Sequence, residues 1–136
     1  MKTYIAWFEK AEEGGYLVQF PDLPGCLSEG DSWEEAFEMA VDALALWLAN
    51  QGNPWPRSSS YTQLQRQTSP QQALVSVPVD EHLLFQYQPK SRINVSLPKQ
   101  TLIDLDQYRA QTGEERSDLL AQGAQLLLEH RLSKAL

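Results

Sequence analysis

Positions 91–97 alternate strictly between apolar and polar. Ile93, Val95 and Leu97 fall on one side of an extended chain, and Arg92, Asn94 and Ser96 on the other, because successive side chains of a strand change face. Pro98 closes the run, and a helical pattern starts directly after it. A lone strand has nothing to bury its apolar side against. Two copies from two chains would bury that side and leave a polar ribbon. Alternation also marks the front of the chain. Residues 3–8 are rich in strand formers, and residues 16–20 set Tyr16, Val18 and Phe20 against Leu17 and Gln19. The intervening Gly14 and Gly15 make these two runs a hairpin. A stiff turn from Pro21 to Gly25 leads to a short third strand over 26–29, and residues 73–79 alternate again as a fourth.

Helical spacing appears in three places. Ser32 is placed as an N-cap, and Glu35 three residues on completes a capping box. Trp33, Phe37, Ala40, Val41, Leu44, Trp47 and Leu48 then recur as one stripe, which is expected to cover one face of the hairpin sheet. Pro54 and Pro56 stop this helix. Residues 53–72 carry no apolar period and read as a long loop, with Trp55 packed beneath it or turned to a partner. Residues 81–89 fit either docking on the front of the chain or extension toward the back, with Pro89 and Lys90 as a hinge. Pro98 suits the first turn of a second helix striped by Leu102, Leu105 and Tyr108, and Gly113 fits the position just past its end. Ser117 is read as the cap of a last helix, whose Leu119, Leu120, Ala124, Leu127, Leu128 and Leu132 make a broad apolar face. One strand and two helices in so short a length cannot enclose a core alone. The fold class is therefore α+β, in two domains, 1–88 and 89–136, the second intertwined with another copy.

Charge sharpens that division. Of the net −7, residues 1–87 hold four Lys/Arg against twelve Asp/Glu, and residues 88–136 hold seven against six. An acidic front repels nucleic acid and attracts a basic partner, although a solvated surface explains the same acids. Cys26 is the only cysteine, so no intrachain disulfide or multi-cysteine zinc site exists, which fits the cytoplasm. The apolar run at 5–8 is broken by Glu9 and is too short for a signal peptide or a membrane span.

Catalytic chemistry finds little support. His82 and His130 lie in different domains with no partner at ligand spacing. Cys26 follows a turn glycine and reads as a small core residue. Glu34, Glu35 and Glu38 crowd a helix start, where the helix dipole favours anions without any metal. The first strand supplies no acid before Glu9. No metal, cofactor or enzymatic activity is expected.

Two resemblances carry function. Arg92 to Pro98, Leu102, Ile103, Leu105, Asp106, Gly113, Arg116, Ser117, Leu120 and Ala124 resemble a ribbon-helix-helix domain. That resemblance implies a homodimer whose paired strands enter the major groove. Arg92, Asn94 and Ser96 would then read bases, as Arg suits guanine and Asn adenine. Lys90, Lys99, Arg116 and Ser117 would hold DNA phosphates, Ser117 at a helix start. Arg109 departs from the small residue usual at its position, and Glu114, Glu115 and Asp118 put negative charge beside that phosphate. The front resembles the HicB antitoxin N-terminal domain, through Tyr16, Val18, Phe20, the turn from Pro21 to Cys26, Gly30 to Ser32, Glu34 to Ala36, Ala40 and Asp42 to Leu44. It implies a partial RNase H-like fold, with a small antiparallel sheet and one helix, and a HicA-like toxin that cleaves mRNA as partner.

Together these imply an antitoxin that masks its toxin and represses its own operon by binding double-stranded operator DNA, as a dimer or a tetramer. The acids Asp22, Asp31, Glu34, Glu35 and Glu38 are the expected toxin-facing surface. Two alternatives belong to other classes. One is a stand-alone repressor with a ligand-sensing or assembly domain; the other is a metal-dependent nuclease.

Overall fold

A computed structural model describes residues 2–135. The chain divides into two compact units, one running through Ser91 and the other starting at Arg92. The first unit is a four-stranded antiparallel sheet in the order β3-β2-β1-β4. Its strands are β1 (Thr3–Lys10), β2 (Tyr16–Gln19), β3 (Leu27–Gly30) and β4 (Gln72–Pro78). Alternation dictates the layering. Tyr4, Ala6 and Phe8 of β1, Val18 of β2 and Val77 of β4 point to one face and are buried there. The register agrees, pairing Phe8 with Val18 and Tyr4 with Val77. The opposite face keeps Leu17 and Leu27 exposed. Trp7, whose spacing puts it on that face, is half-buried and donates its indole N–H to Thr68 Oγ1 at 2.9 Å.

Helix α1 (Trp33–Gln51) covers the apolar face. Ser32 caps it, its hydroxyl accepting from the Glu35 N–H at 3.1 Å. The Glu35 carboxylate reaches back to the Asp31 N–H at 3.3 Å, one residue beyond the expected reciprocal bond to Ser32. The buried line of the helix is Ala36, Ala40, Leu44 and Leu48, with Ala45 and Ala49 beside it. Trp33, expected in the core stripe, is instead 39% exposed at the rim, its ring tilted against Phe8 and edge-on to Tyr16. Small residues take the centre because the helix lies close to the sheet. A Cβ on Gly30 would sit 2.3 Å from the Ala36 backbone nitrogen, so β3 tolerates no side chain there.

Residues 53–72 are not a plain loop. They contain a short helix α2 (Tyr61–Gln65) with a full capping box between Ser60 and Gln63. The segment is pinned at several points. Tyr4 donates its hydroxyl to the Pro56 carbonyl at 2.6 Å, Leu64 is buried, and Trp55 packs against the core. Residues 81–89 also resolve: α3 (Glu81–Tyr87) is capped by Asp80 and packs against α1, with Leu84 on the core and the Tyr87 hydroxyl bonded to Asp42.

The second unit holds α4 (Lys99–Thr112) and α5 (Arg116–Ala135). Gly113 ends α4 in the left-handed region at φ 77°, its N–H returning to the Arg109 carbonyl, a conformation that favours glycine. Residues 91–98 form no ladder within the chain. The strand expected over 91–97 is not formed, because no segment of this chain pairs with it. No described residue of this unit is buried.

Candidate functional site

The acids expected to face a toxin separate into two groups. Asp22 is not free: its two carboxylate oxygens accept from the Ser59 N–H at 2.6 Å and the Ser59 hydroxyl at 2.7 Å, tying the turn before β3 to the segment before α2. Glu35 is likewise engaged with the Asp31 N–H. Asp31, Glu34 and Glu38 are exposed around the start of α1. The helix positions them through the Ser32 cap, and its dipole complements Glu34 and Glu35 in the first turn. Sequence reasoning missed a shallow groove of about 370 Å³ between the start of β3 and the second half of α1, lined by Gly25, Cys26, Leu27, Ala43, Leu46 and Trp47. Its signal was an apolar excess off the core periodicity, since Leu27 and Leu46 remain 63% and 44% exposed. Cys26 itself is buried, 3.7 Å from the Ala43 carbonyl, and burial pushes its thiol up to about 11. It stays protonated at neutral pH and is no nucleophile.

In the second unit, Arg92, Asn94 and Ser96 are all exposed on alternate positions. Ile93 and Val95 between them are 79% and 60% exposed, a large apolar surface for water to meet. Lys99 is exposed at the first position of α4, and Lys90 lies in the preceding unit. Ser117 is not the cap of α5. The helix starts at Arg116 and its first backbone bond runs from the Leu119 N–H to the Glu115 carbonyl, so Ser117 lies inside the first turn. Arg116 is already engaged. Its Nε and Nη2 grip Asp106 at 3.0–3.3 Å. Arg109, the departure noted in the sequence, donates to the same carboxylate at 3.1 Å and to the Glu114 carbonyl at 3.2 Å. Its length is used to tie α4 to the turn. Hydrogen bonds from Arg116 first, then Arg109, hold the Asp106 carboxyl below the usual carboxylate range.

Among the described residues, no group of three or more His, Cys, Asp or Glu is placed to hold a metal ion, and no helix is long and apolar enough to cross a membrane. The molecule is thus a two-module α+β protein: an acidic sheet-and-helix unit, and a helical unit whose apolar side is uncovered. The family model described as "HicB_like antitoxin of bacterial toxin-antitoxin system" matches residues 4–124, and the chain belongs to that family. It is 58% identical over 41 residues to Antitoxin HicB 1 of Photorhabdus laumondii, a match covering 30% of this chain and only 26% of that relative. An uncharacterised 14.9 kDa protein of Haemophilus phage HP1 is 32% identical over 88% of this chain and 92% of its own length. The Burkholderia pseudomallei antitoxin HicB crystal structure is 27% identical with a TM-score of 0.53, covering 91% of this chain and 96% of that one.

Proposed function

We propose that this antitoxin has two tasks, divided between residues 1–88 and 89–136. The front domain, a reduced RNase H-like fold, binds a small basic HicA-like toxin through the acids around the start of α1 and blocks its action on mRNA. Masking needs no catalytic residue, so the chain acts as a binder and not as an enzyme. The rear domain pairs with a second copy through residues 91–97 as an antiparallel ribbon. Arg92, Asn94 and Ser96 of the ribbon read operator bases in the major groove. Lys90, Lys99, Arg116 and the first turn of α5 at Ser117 hold the phosphates, and the bound dimer represses its own operon.

One observation carries the rear half of this reading. Ile93 and Val95 lie bare on a segment that has no ladder of its own, in a unit with no buried residue among those described. Apolar surface of that extent is covered in a working protein. A ribbon covers it and leaves the polar side chains outward. Supporting the front half are family membership and the charge of −8 on residues 1–87.

The test is co-purification of the full chain with the product of the neighbouring reading frame, followed by sedimentation and operator binding. A toxin complex, a dimer without toxin and a salt-dependent preference for its own upstream DNA are expected. A monomer that binds neither would overturn the reading; a dimer that binds DNA but no protein would favour the stand-alone repressor.

A further inference from the structure

One carboxylate in the second unit serves two guanidinium groups. Asp106, on α4, accepts from Arg116 Nε at 3.3 Å and Nη2 at 3.1 Å through Oδ1, and again from Nη2 at 3.0 Å through Oδ2. Arg109 Nη1 adds a bond to Oδ1 at 3.1 Å. Arginine presents five N–H donors on a planar fork. Asp106 occupies the Nε–Nη2 edge of Arg116, and Nη1 lies outside that grip.

Two simpler uses of this pair make different predictions. An exposed ion pair alone adds little to stability. A masking carboxylate would lower the attraction of Arg116 for an anion. We propose instead that Asp106 is a positioning residue for Arg116, fixing its guanidinium so that the Nη1 edge takes a DNA phosphate beside the first turn of α5. This rests on the DNA-binding reading above. Arg116 and Asp106 are 48% and 40% exposed, so packing does not hold this arginine and the carboxylate does.

The sign follows from two opposed effects. An arginine that must first give up its rotamer freedom loses up to about 30-fold in affinity. Asp106 imposes that order before DNA arrives. Its own charge works against it, but a carboxylate and a phosphate sharing one guanidinium stand roughly 7 Å apart, where repulsion in water costs about threefold, and salt reduces it further. Preorganisation prevails by about tenfold. The pair also persists at neutral pH, since Arg116 first and then Arg109 keep the Asp106 carboxyl ionised.

The experiment is fluorescence anisotropy of the full chain on a duplex copied from the DNA upstream of its own reading frame, against a scrambled duplex, across a salt series. Asp106→Asn is expected to weaken binding about tenfold although it removes a negative charge. Arg116→Lys keeps the charge, loses the two-pronged grip, and weakens binding similarly. The double variant should be no weaker than Arg116→Lys alone, with the dimer intact by sedimentation. Equal or tighter binding by a folded Asp106→Asn protein overturns the positioning role and leaves the DNA reading standing. If that variant does not fold, Arg116→Lys decides, and unchanged affinity overturns the proposal. No salt-dependent preference in the wild-type chain overturns both.

Discussion

Between Tyr4 and Val79, sixteen apolar side chains are buried; from Arg92 onward no described residue is. The front unit encloses its apolar surface with its own chain, layering α1 on a sheet whose strands alternate cleanly. The rear unit has comparable apolar material but directs it outward. Leu126, Leu127, Leu128 and Leu132 are each at least half exposed, and consecutive leucines on a helix point about 100° apart. Stability of the front unit is therefore a property of one chain. On the dimer reading proposed above, stability of the rear unit depends on a second body, and so on concentration.

The largest effect should come from filling the closest approach in the front unit. A Cβ at position 30 meets backbone atoms of Ala36 at 2.3 and 2.6 Å, and backbone cannot swing aside. Gly30→Val is expected to unfold the front unit outright. All four tryptophans lie there, at 7, 33, 47 and 55, so Trp fluorescence isolates this unit. Native-like emission from the variant would show that α1 can shift off β3 at little cost.

A pair of leucine truncations comes next and tests the contrast directly. Leu44 is fully buried on α1 and Leu127 is 50% exposed on α5. Leu44→Ala should cost about 2–5 kcal/mol in the fluorescence transition, at any protein concentration. Leu127→Ala should leave that transition in place and weaken the concentration-dependent step seen by circular dichroism. Equal behaviour of the two variants on dilution would break the comparison.

Asp22 gives a smaller effect. It was expected on the partner-facing surface, yet it accepts two bonds from Ser59. Asp22→Asn should cost about 1–3 kcal/mol, since it replaces hydrogen bonds to a charged acceptor, and should speed hydrogen exchange at the Ser59 amide. Unchanged exchange there would show that the Asp22 bonds do not hold the Ser59 segment.

These variants also show which features were legible in the sequence. Alternation is a local signal, so the four strands and their inward faces were readable from residues such as Tyr16, Val18 and Phe20. Cap chemistry is local too, and Ser32 starts α1 as read. The misreadings are tertiary. Trp33 fits the helical stripe by spacing, but the close packing set by Gly30 favours Ala36 over a large ring. Residues 53–72 have no apolar period because their order comes from single anchors, Tyr4 to Pro56 and Asp22 to Ser59, which no periodicity encodes. In the rear unit the sequence marks polar and apolar sides of residues 91–97, but the chain offers those residues no strand to pair with. The Asp106 node was hidden for a related reason: ten residues separate it from Arg116, across a turn whose geometry only the fold supplies.

The smallest effect belongs to Cys26, and its sign can be worked out. Burial raises its thiol from 9.0 to about 11. Below pH 9 the thiol is protonated whether the front unit is folded or not, and it contributes no pH dependence. Between pH 9 and about 11 the unfolded chain releases the proton while the folded chain retains it, so ionisation favours unfolding and stability falls as pH rises. Other groups titrate in that window, and the informative quantity is the difference between wild type and Cys26→Ala. The wild-type fluorescence midpoint should fall more steeply with pH than the variant's, with the two slopes equal below pH 9. Parallel slopes throughout would mean that water reaches the thiol from the groove beside Trp47. The front unit would then be less closed at its β3 edge than the contact between Cys26 and Ala43 implies.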